Sequence, residues 1–541
     1  MPMEHRPTSP PRRLNLSRPL IMGRRGAVAS QHPLATDAGL AVLRAGGNAV
    51  DAAVAVALTI GVVEPHLSGL GGDGFYHVLD GRSGASTVFN GSGAAPMAAT
   101  PERYLALGPR VPWRGALSIS VPGALGGLAA THAAFGSMPW ASLVQPAIDL
   151  AHDGFCATHH YRVFAGVGRP RLQGDARSAS VFLSNGGPPP LGAIVRQPAL
   201  AQTLQAIARE GSETFYRGPL ARRIANGIER AGGLLTEADM AACRPERQAP
   251  ISVSYRGFDV CQTPPNSMGF SMLQMLKMLE RFDLAALEWA SADLIHLLFE
   301  TRKFAFRDRD RCAGDPRWTH VPVATLLGDE SIGAQARAID ITRAVGVADA
   351  PPAEGGDTSY FAVVDGTGNA VSAIQSLSDA FGSGVTAGDT GVLMNNRMVH
   401  WHLREGHPNR LAPGKRVRQT MCAPIVLRDG ELFCVMGTPG GDNQVLCQLE
   451  ALVAMIDFGI DPQRAVDAPR WVATPGESDI LGLERPIPVS VVEDLQRRGH
   501  QTRVMSERGA VICMSVIRRD AATGVLMAAS DPRLDGWAAA Y

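Results

Sequence analysis

Thr358 opens the run "TSYFAVVDGTGNAVSAIQSL" and follows directly on "VGVADAPPAEGGD", residues 345–357. A threonine hydroxyl is a poor nucleophile unless a base stands beside it, and the free α-amine of the same threonine is one known base. That amine titrates at about 7.7–8.0, so it is available around neutral pH. An internal threonine has no free amine. Thr358 gains one only if the Asp357–Thr358 bond is cut, and the hydroxyl can start that cut by attacking the Asp357 carbonyl. The plain alternative, a threonine that begins a strand, is the commoner meaning of these residues taken alone. A second feature shifts the balance. In "GTPGGDNQ", residues 437–444, Gly440 and Gly441 lie between a predicted strand and a predicted helix, where two N–H groups can converge on one oxygen near a positive helix end. That is the chemistry of an oxyanion hole.

Other motifs are weaker. "GLGGDG" at 69–74 satisfies the spacing of a dinucleotide loop, but a helical run precedes it and a strand-like run follows, the reverse of what that loop needs. Its glycines read as a place where backbone passes close to something else. "HWH" at 400–402 offers two imidazoles without a third ligand nearby in sequence, so no metal is expected. No GxSxG elbow surrounds any serine. The eight cysteines are scattered without a CxxC pair, which argues against a zinc site and a disulfide framework, and no cofactor is implied.

The elements that must position Thr358 are legible around it. The runs after 357 form two strands joined by "DGTGN", a hairpin, and the Pro-Pro and Gly-Gly pairs before it predict an exposed linker. A second hairpin passes through Asp429-Gly430, followed by a helix from about 443. "PLATDAGLAVLRA" at 33–45 has helical spacing stopped by "GGN", and a second helix runs from about Asp51 into the apolar stretch 52–63. "FYHVLD" and "STVFNGSG" predict a strand pair, and apolar stripes at 272–282 and 293–306 predict core helices. Blocks of strands with hairpin connections favour an α+β fold with antiparallel sheets.

The chain has 541 residues, 45% apolar and 19% charged, enough for a large core. Its formal net charge is zero without basic clusters, so no nucleic-acid partner is expected. The longest apolar run falls short of a bilayer span, so no membrane partner is expected either. The first 26 residues, rich in Pro and Arg, lack the apolar core of a secretory signal, which places the expected location in the cytoplasm.

Taken together, "AGGNAVDAAVAVAL", "VVEPHLSGLGGDGF", "SVPGALGG", "TPPNSMGFSMLQMLKMLERFDL", "ETRKFAFRDRD", "GDTSYFAVVDGTGNAVSAIQSL", "FGSGV", "GTPGGDNQ" and "AVDAPRW" resemble the γ-glutamyltransferases from about Ser30 to Tyr541. The resemblance implies an N-terminal-nucleophile hydrolase, a four-layer αββα sandwich made as one inactive chain and self-cleaved. It implies an N-terminal extension over 1–29, expected to be disordered, then a large subunit 30–357 and a small subunit 358–541 that remain associated. It leaves a homo-oligomer open. It puts the nucleophile on Thr358, a supporting hydroxyl on Ser376 where most relatives have Thr, and the oxyanion pair on Gly440 and Gly441.

The substrate-binding positions depart from the family pattern. Where γ-glutamyl enzymes present a carboxylate to the substrate's α-ammonium, this chain has "NNRMVHW", with Arg397 and Val399. Arg repels an ammonium and Val accepts no hydrogen bond from it. The family's arginine for the α-carboxylate is missing from "FNGSGAAP", 89–96, and its Ser-Ser pair aligns with Gln419 and Thr420. Ser378, Gln419 and Thr420 join Arg397 as the implied substrate-binding positions, and Arg397 suits a carboxylate through paired hydrogen bonds. "GGDGF", "PPNS", "GDTSYF" and "AIQSL" resemble a branch that includes oxamate amidohydrolases. The expected substrate is therefore a small amide bearing a carboxylate. The alternatives are a γ-glutamyl hydrolase or transpeptidase acting on glutathione, and a homologue that never matures.

Overall fold

The computed structural model describes residues 17–346, 356–474 and 480–541. The linker predicted before Thr358 therefore lies largely outside the described residues.

Why the chain forms layers is plainest in the strand Asp357–Asp365. Successive side chains of a strand point to opposite faces. Tyr360, Ala362 and Val364 pack into one apolar cluster, while Phe361 and Val363 pack into another. A strand buried on both faces needs a layer on each side. Among the described residues there are two large sheets, each seven-stranded and antiparallel. The first runs Trp537–Ala540, Gly26–Ser30, Asp357–Asp365, Ala370–Ser378, Asp73–Leu79, Ser86–Gly91 and Glu246–Gln248. The second runs Ile21–Gly23, Leu526–Ser530, Ser515–Arg519, Glu431–Gly437, Ile425–Arg428, Phe258–Gln262 and Ile251–Tyr255.

The two sheets face each other across Phe75, Tyr360, Ile374, Ile425, Val435 and Ile517. The helix Ala49–Val63 covers the outer face of the first sheet; it is buried nearly all round, as its uniformly apolar sequence requires. The helices Gly269–Leu279, Ala292–Cys312 and Asn443–Ile456 cover the second. Helix, sheet, sheet, helix is the expected αββα order.

Local signals behave as their chemistry dictates. The helix Pro33–Arg44 ends at Gly46, whose φ of 92° suits glycine, and the next helix starts at a capping box between Asn48 and Asp51. Both hairpins form. One expectation fails: the extension over 1–29 is not without structure. Ile21–Gly23 pairs with residues 526–528, and Gly26–Ser30 pairs with both the C-terminal strand and the strand of Thr358. Residues 1–16 lie outside the described residues. Among the described residues no helix is long and apolar enough to cross a membrane.

Candidate active site

Thr358 and Ser376 share strand parity with Tyr360 and Ile374, so both side chains belong to the face between the two sheets. The register of the hairpin breaks there: Asp357 opposes Ser378 and Ser359 opposes Gln375, so Ser376 and Leu377 face the single Thr358. Such a bulge re-aims a side chain at the end of a ladder. Beyond it Ser378 adopts φ 89°, a left-handed conformation that costs a residue with a Cβ.

Ser376 Oγ donates to the Asp357 carbonyl oxygen at 2.6 Å and accepts from the Ser378 N–H at 2.8 Å. The hydroxyl of one strand thus rests on the carbonyl that precedes Thr358. Thr358 itself is 2% exposed, so in the uncut chain no amide from solvent reaches its hydroxyl. Two buried groups back the strand. The carbonyl of Thr358 can only accept and the N–H of Tyr360 can only donate, which assigns the Gln31 amide: its nitrogen faces the Thr358 carbonyl at 3.1 Å and its oxygen the Tyr360 N–H at 3.2 Å. Glu64, at the end of the helix Ala49–Val63, accepts from Ser359 Oγ at 2.8 Å.

Burial raises the Glu64 pKa to about 8, against the Ser359 hydrogen bond that lowers it. The folded carboxyl therefore holds a proton that the unfolded one releases between about pH 4.5 and 8, and stability falls through that window by up to about 1.4 kcal/mol per pH unit from this group. Glu64→Gln keeps an acceptor for Ser359 and removes the titration. The variant is expected to gain on the parent protein as pH rises from 5 to 8 in urea unfolding, and a constant difference between the two would refute this.

Gly440 and Gly441 come from the opposite sheet, between the strand Glu431–Gly437 and the helix Asn443–Ile456, with φ of 122° and 56°. Their carbonyls accept from the Asn443 and Gln444 N–H groups and so join the first helical turn. The loop abuts the chain just before Thr358: a Cβ built on Gly356 would lie 3.5 Å from the Gly441 Cα. Next in sequence, Asp442 is ion-paired with Arg309, both fully buried, which ties the loop to the helix Ala292–Cys312.

The predicted substrate-binding residues form a second group nearby. Asp73 opposes Ser376 across the sheet and lies under Arg397, whose Nε is 3.3 Å from its Oδ2. The Gly93 N–H donates to Asp73 Oδ1 at 2.8 Å, and Gln419 Nε2 donates to Oδ2 at 3.0 Å. Burial raises the Asp73 pKa, opposed by Arg397 and these two donors. Thr420 is buried next to Gln419 and is not one of the partners of Asp73. The glycines of 69–74 do mark close approach: a Cβ on Gly72 would lie 2.4 Å from the Ser376 carbonyl oxygen.

His400 has a partner that the sequence did not show. Its Nε2 lies 2.8 Å from Ser378 Oγ, so it belongs to the wall of this site and not to a pair with His402. His402 instead stacks on His407, ring centres 3.6 Å apart and planes 6° from parallel, near Asp310. Parallel rings cannot both aim an in-plane lone pair at one ion, and Asp310 already pairs with Arg418. Asp73, Gln31 and Glu64 were not foreseen; only Asp73, inside the glycine run, carried a signal, as the one charge in a stretch that must touch other backbone.

Residues 35–541 match the family model described as gamma-glutamyltranspeptidase. The chain belongs to this family. Among its relatives, a glutathione hydrolase-like proenzyme of Bacillus subtilis is 37% identical over 95% of this chain and 98% of its own length. The oxamate amidohydrolase proenzyme of Klebsiella pneumoniae is 35% identical over 95% of this chain and 98% of its own. The crystal structure of a cephalosporin acylase from Bacillus halodurans superposes with a TM-score of 0.91 at 35% identity, covering 100% of this chain and 99% of the other. The γ-glutamyltranspeptidase family thus accounts for the αββα fold, and the protein is a hydrolase of the N-terminal-nucleophile type.

Proposed function

We propose that the chain cuts itself between Asp357 and Thr358 and then hydrolyses the amide of a small carboxylate-bearing acid, an oxamate-like substrate. The observation that carries this reading is the Ser376 hydroxyl at 2.6 Å from the carbonyl before Thr358. In the uncut chain Thr358 Oγ attacks that carbonyl through a five-membered ring. The carbonyl oxygen gains charge and Ser376 holds it, the hydroxyl proton passes to the departing nitrogen as the C–N bond breaks to leave an ester and a free Thr358 amine, and water then hydrolyses the ester to the Asp357 carboxylate and the Thr358 hydroxyl. The mature enzyme repeats the step on a substrate amide. The α-amine takes the hydroxyl proton and passes it to the leaving amine, the N–H groups of Gly440 and Gly441 hold the oxyanion, and water then hydrolyses the acyl ester.

Support for a carboxylate and against an ammonium on the substrate comes from the groups beside Ser376 and Ser378. Arg397 and His400 begin and end one short helical turn, and His400 Nε2 lies 2.8 Å from Ser378 Oγ. Asp73, which a substrate ammonium would need, already holds Arg397, Gln419 and the Gly93 N–H. The test compares kcat/KM for oxamate and related anionic amides with that for a γ-glutamyl anilide. The anionic amides are expected to lead by about tenfold or more. Faster release of glutamate from the anilide would replace this reading with a γ-glutamyl hydrolase.

A further inference from the structure

Thr358 is weakly held by its own sheet. On one side the hairpin register skips it, because pairing passes from Asp357–Ser378 to Ser359–Gln375. On the other side the strand Gly26–Ser30 pairs with residues 362–365 only. Continuing that register, Ala29 with Ala362, sets Gln31 opposite Tyr360 and Pro33 opposite Thr358. Pro33 has no N–H to give and already belongs to the helix Pro33–Arg44, whose N-cap is His32. The backbone ladder therefore cannot reach Thr358, and one residue, Gln31, separates the end of the strand from the helix cap.

Gln31 fills the gap with its side chain. It is 0% exposed. Its carboxamide is a planar amide with the same donor and acceptor as a peptide group, and it spans Ser359 by giving an N–H to the Thr358 carbonyl at 3.1 Å and taking the Tyr360 N–H at 3.2 Å. These are the two bonds that a neighbouring strand would supply to the carbonyl of residue 358 and the N–H of residue 360. We propose that Gln31 is a positioning residue for the nucleophile: its amide stands in for the missing strand and fixes the backbone of residue 358 when that residue becomes a chain end.

The need arises from the cut. Before cleavage Thr358 is restrained from both sides along the chain; afterwards only its carbonyl side remains tethered, and chain ends fray unless tied down. Both reacting groups, Oγ and the α-amine, sit on this one residue, so a loose backbone displaces base and nucleophile together. A misplacement of about 1 Å at a reacting atom costs up to about a hundredfold in rate. Glu64 holds Ser359 from the helix side of the sheet, so Gln31 and Glu64 fix neighbouring residues from two directions. The inference rests on the reading of Thr358 as the freed nucleophile.

The test is Gln31→Met, which keeps the length of the side chain and removes both hydrogen bonds. In the purified, processed variant kcat is expected to fall between about tenfold and a hundredfold, with KM within twofold of the parent and the melting temperature nearly unchanged. Unchanged kcat overturns the proposal, and so does a fall in melting temperature that matches the loss of activity, which a structural role alone would give. If the variant does not fold, amide hydrogen exchange in the parent protein decides. The Tyr360 N–H is expected to exchange as slowly as that of Ala362, and exchange at the rate of an exposed strand end overturns the proposal. That reading is taken on the chain whether cut or uncut, so failure of self-cleavage would show separately, as a single band, and would count against Thr358 and not against Gln31.

Discussion

Thr358→Ala is expected to give one polypeptide of 57.2 kDa with no amidase activity, where the parent gives two bands of about 38 and about 19 kDa, dividing the mass in the proportion of residues 1–357 to 358–541. Alanine removes the only hydroxyl that is a five-membered ring away from the Asp357 carbonyl, so the first bond of the self-cleavage cannot form. It also removes the nucleophile of the mature enzyme, and the two losses have one cause. The fold survives, because Thr358 contributes a methyl and a hydroxyl at the mouth of the inter-sheet space while Tyr360, Ala362 and Val364 supply the packing of the strand. Thr358→Ser keeps the hydroxyl and is expected to restore both bands. The measurement is a denaturing gel beside an assay for amide hydrolysis. Full activity in the uncut Thr358→Ala chain would dispose of the nucleophile, and an uncut but fully active parent would dispose of the whole maturation scheme.

The sequence disclosed the scaffold of this site better than its walls. The hairpin around "DGTGN", the helix of 49–63 and the turn at Gly440–Gly441 follow from period, composition and glycine, all of which act within a dozen residues. Thr358 was legible because its only chemistry requires a cut and a linker stands before it. Short strands at 21–30 were missed because three and five residues show no period, and they owe their existence to partners more than 300 residues away. The same distance hid Gln31 and Asp73. Nothing near Gln31 in sequence announces that a ladder will fall one peptide short of Thr358. Arg397 was read as a cation for substrate, and the fold also sets it against Asp73, a neighbour more than 300 residues away in sequence. His400 was weighed with His402 because only one residue separates them in sequence, yet their side chains find Ser378 and His407.

Ser376→Ala separates the two uses of the site. In the uncut chain Ser376 is the donor at the Asp357 carbonyl, with its own lone pair fixed by the Ser378 N–H. Removing one preorganised donor from a developing oxyanion costs about a hundredfold to a thousandfold in rate, so the variant is expected to accumulate as the 57.2 kDa precursor and to convert slowly into the two subunits. Thermal stability changes little by comparison, since the hydroxyl is small and the Ser378 N–H it leaves is one neutral donor, worth about 1–3 kcal/mol if stranded. Ser376→Thr keeps the hydroxyl and adds one methyl; rescue of cleavage by Thr with failure by Ala assigns the effect to the oxygen. The time course of band conversion measures it directly. Cleavage of Ser376→Ala at the parent's rate would mean that the carbonyl before Thr358 is polarised from elsewhere, and the glycine pair of the facing sheet would then have to serve both reactions.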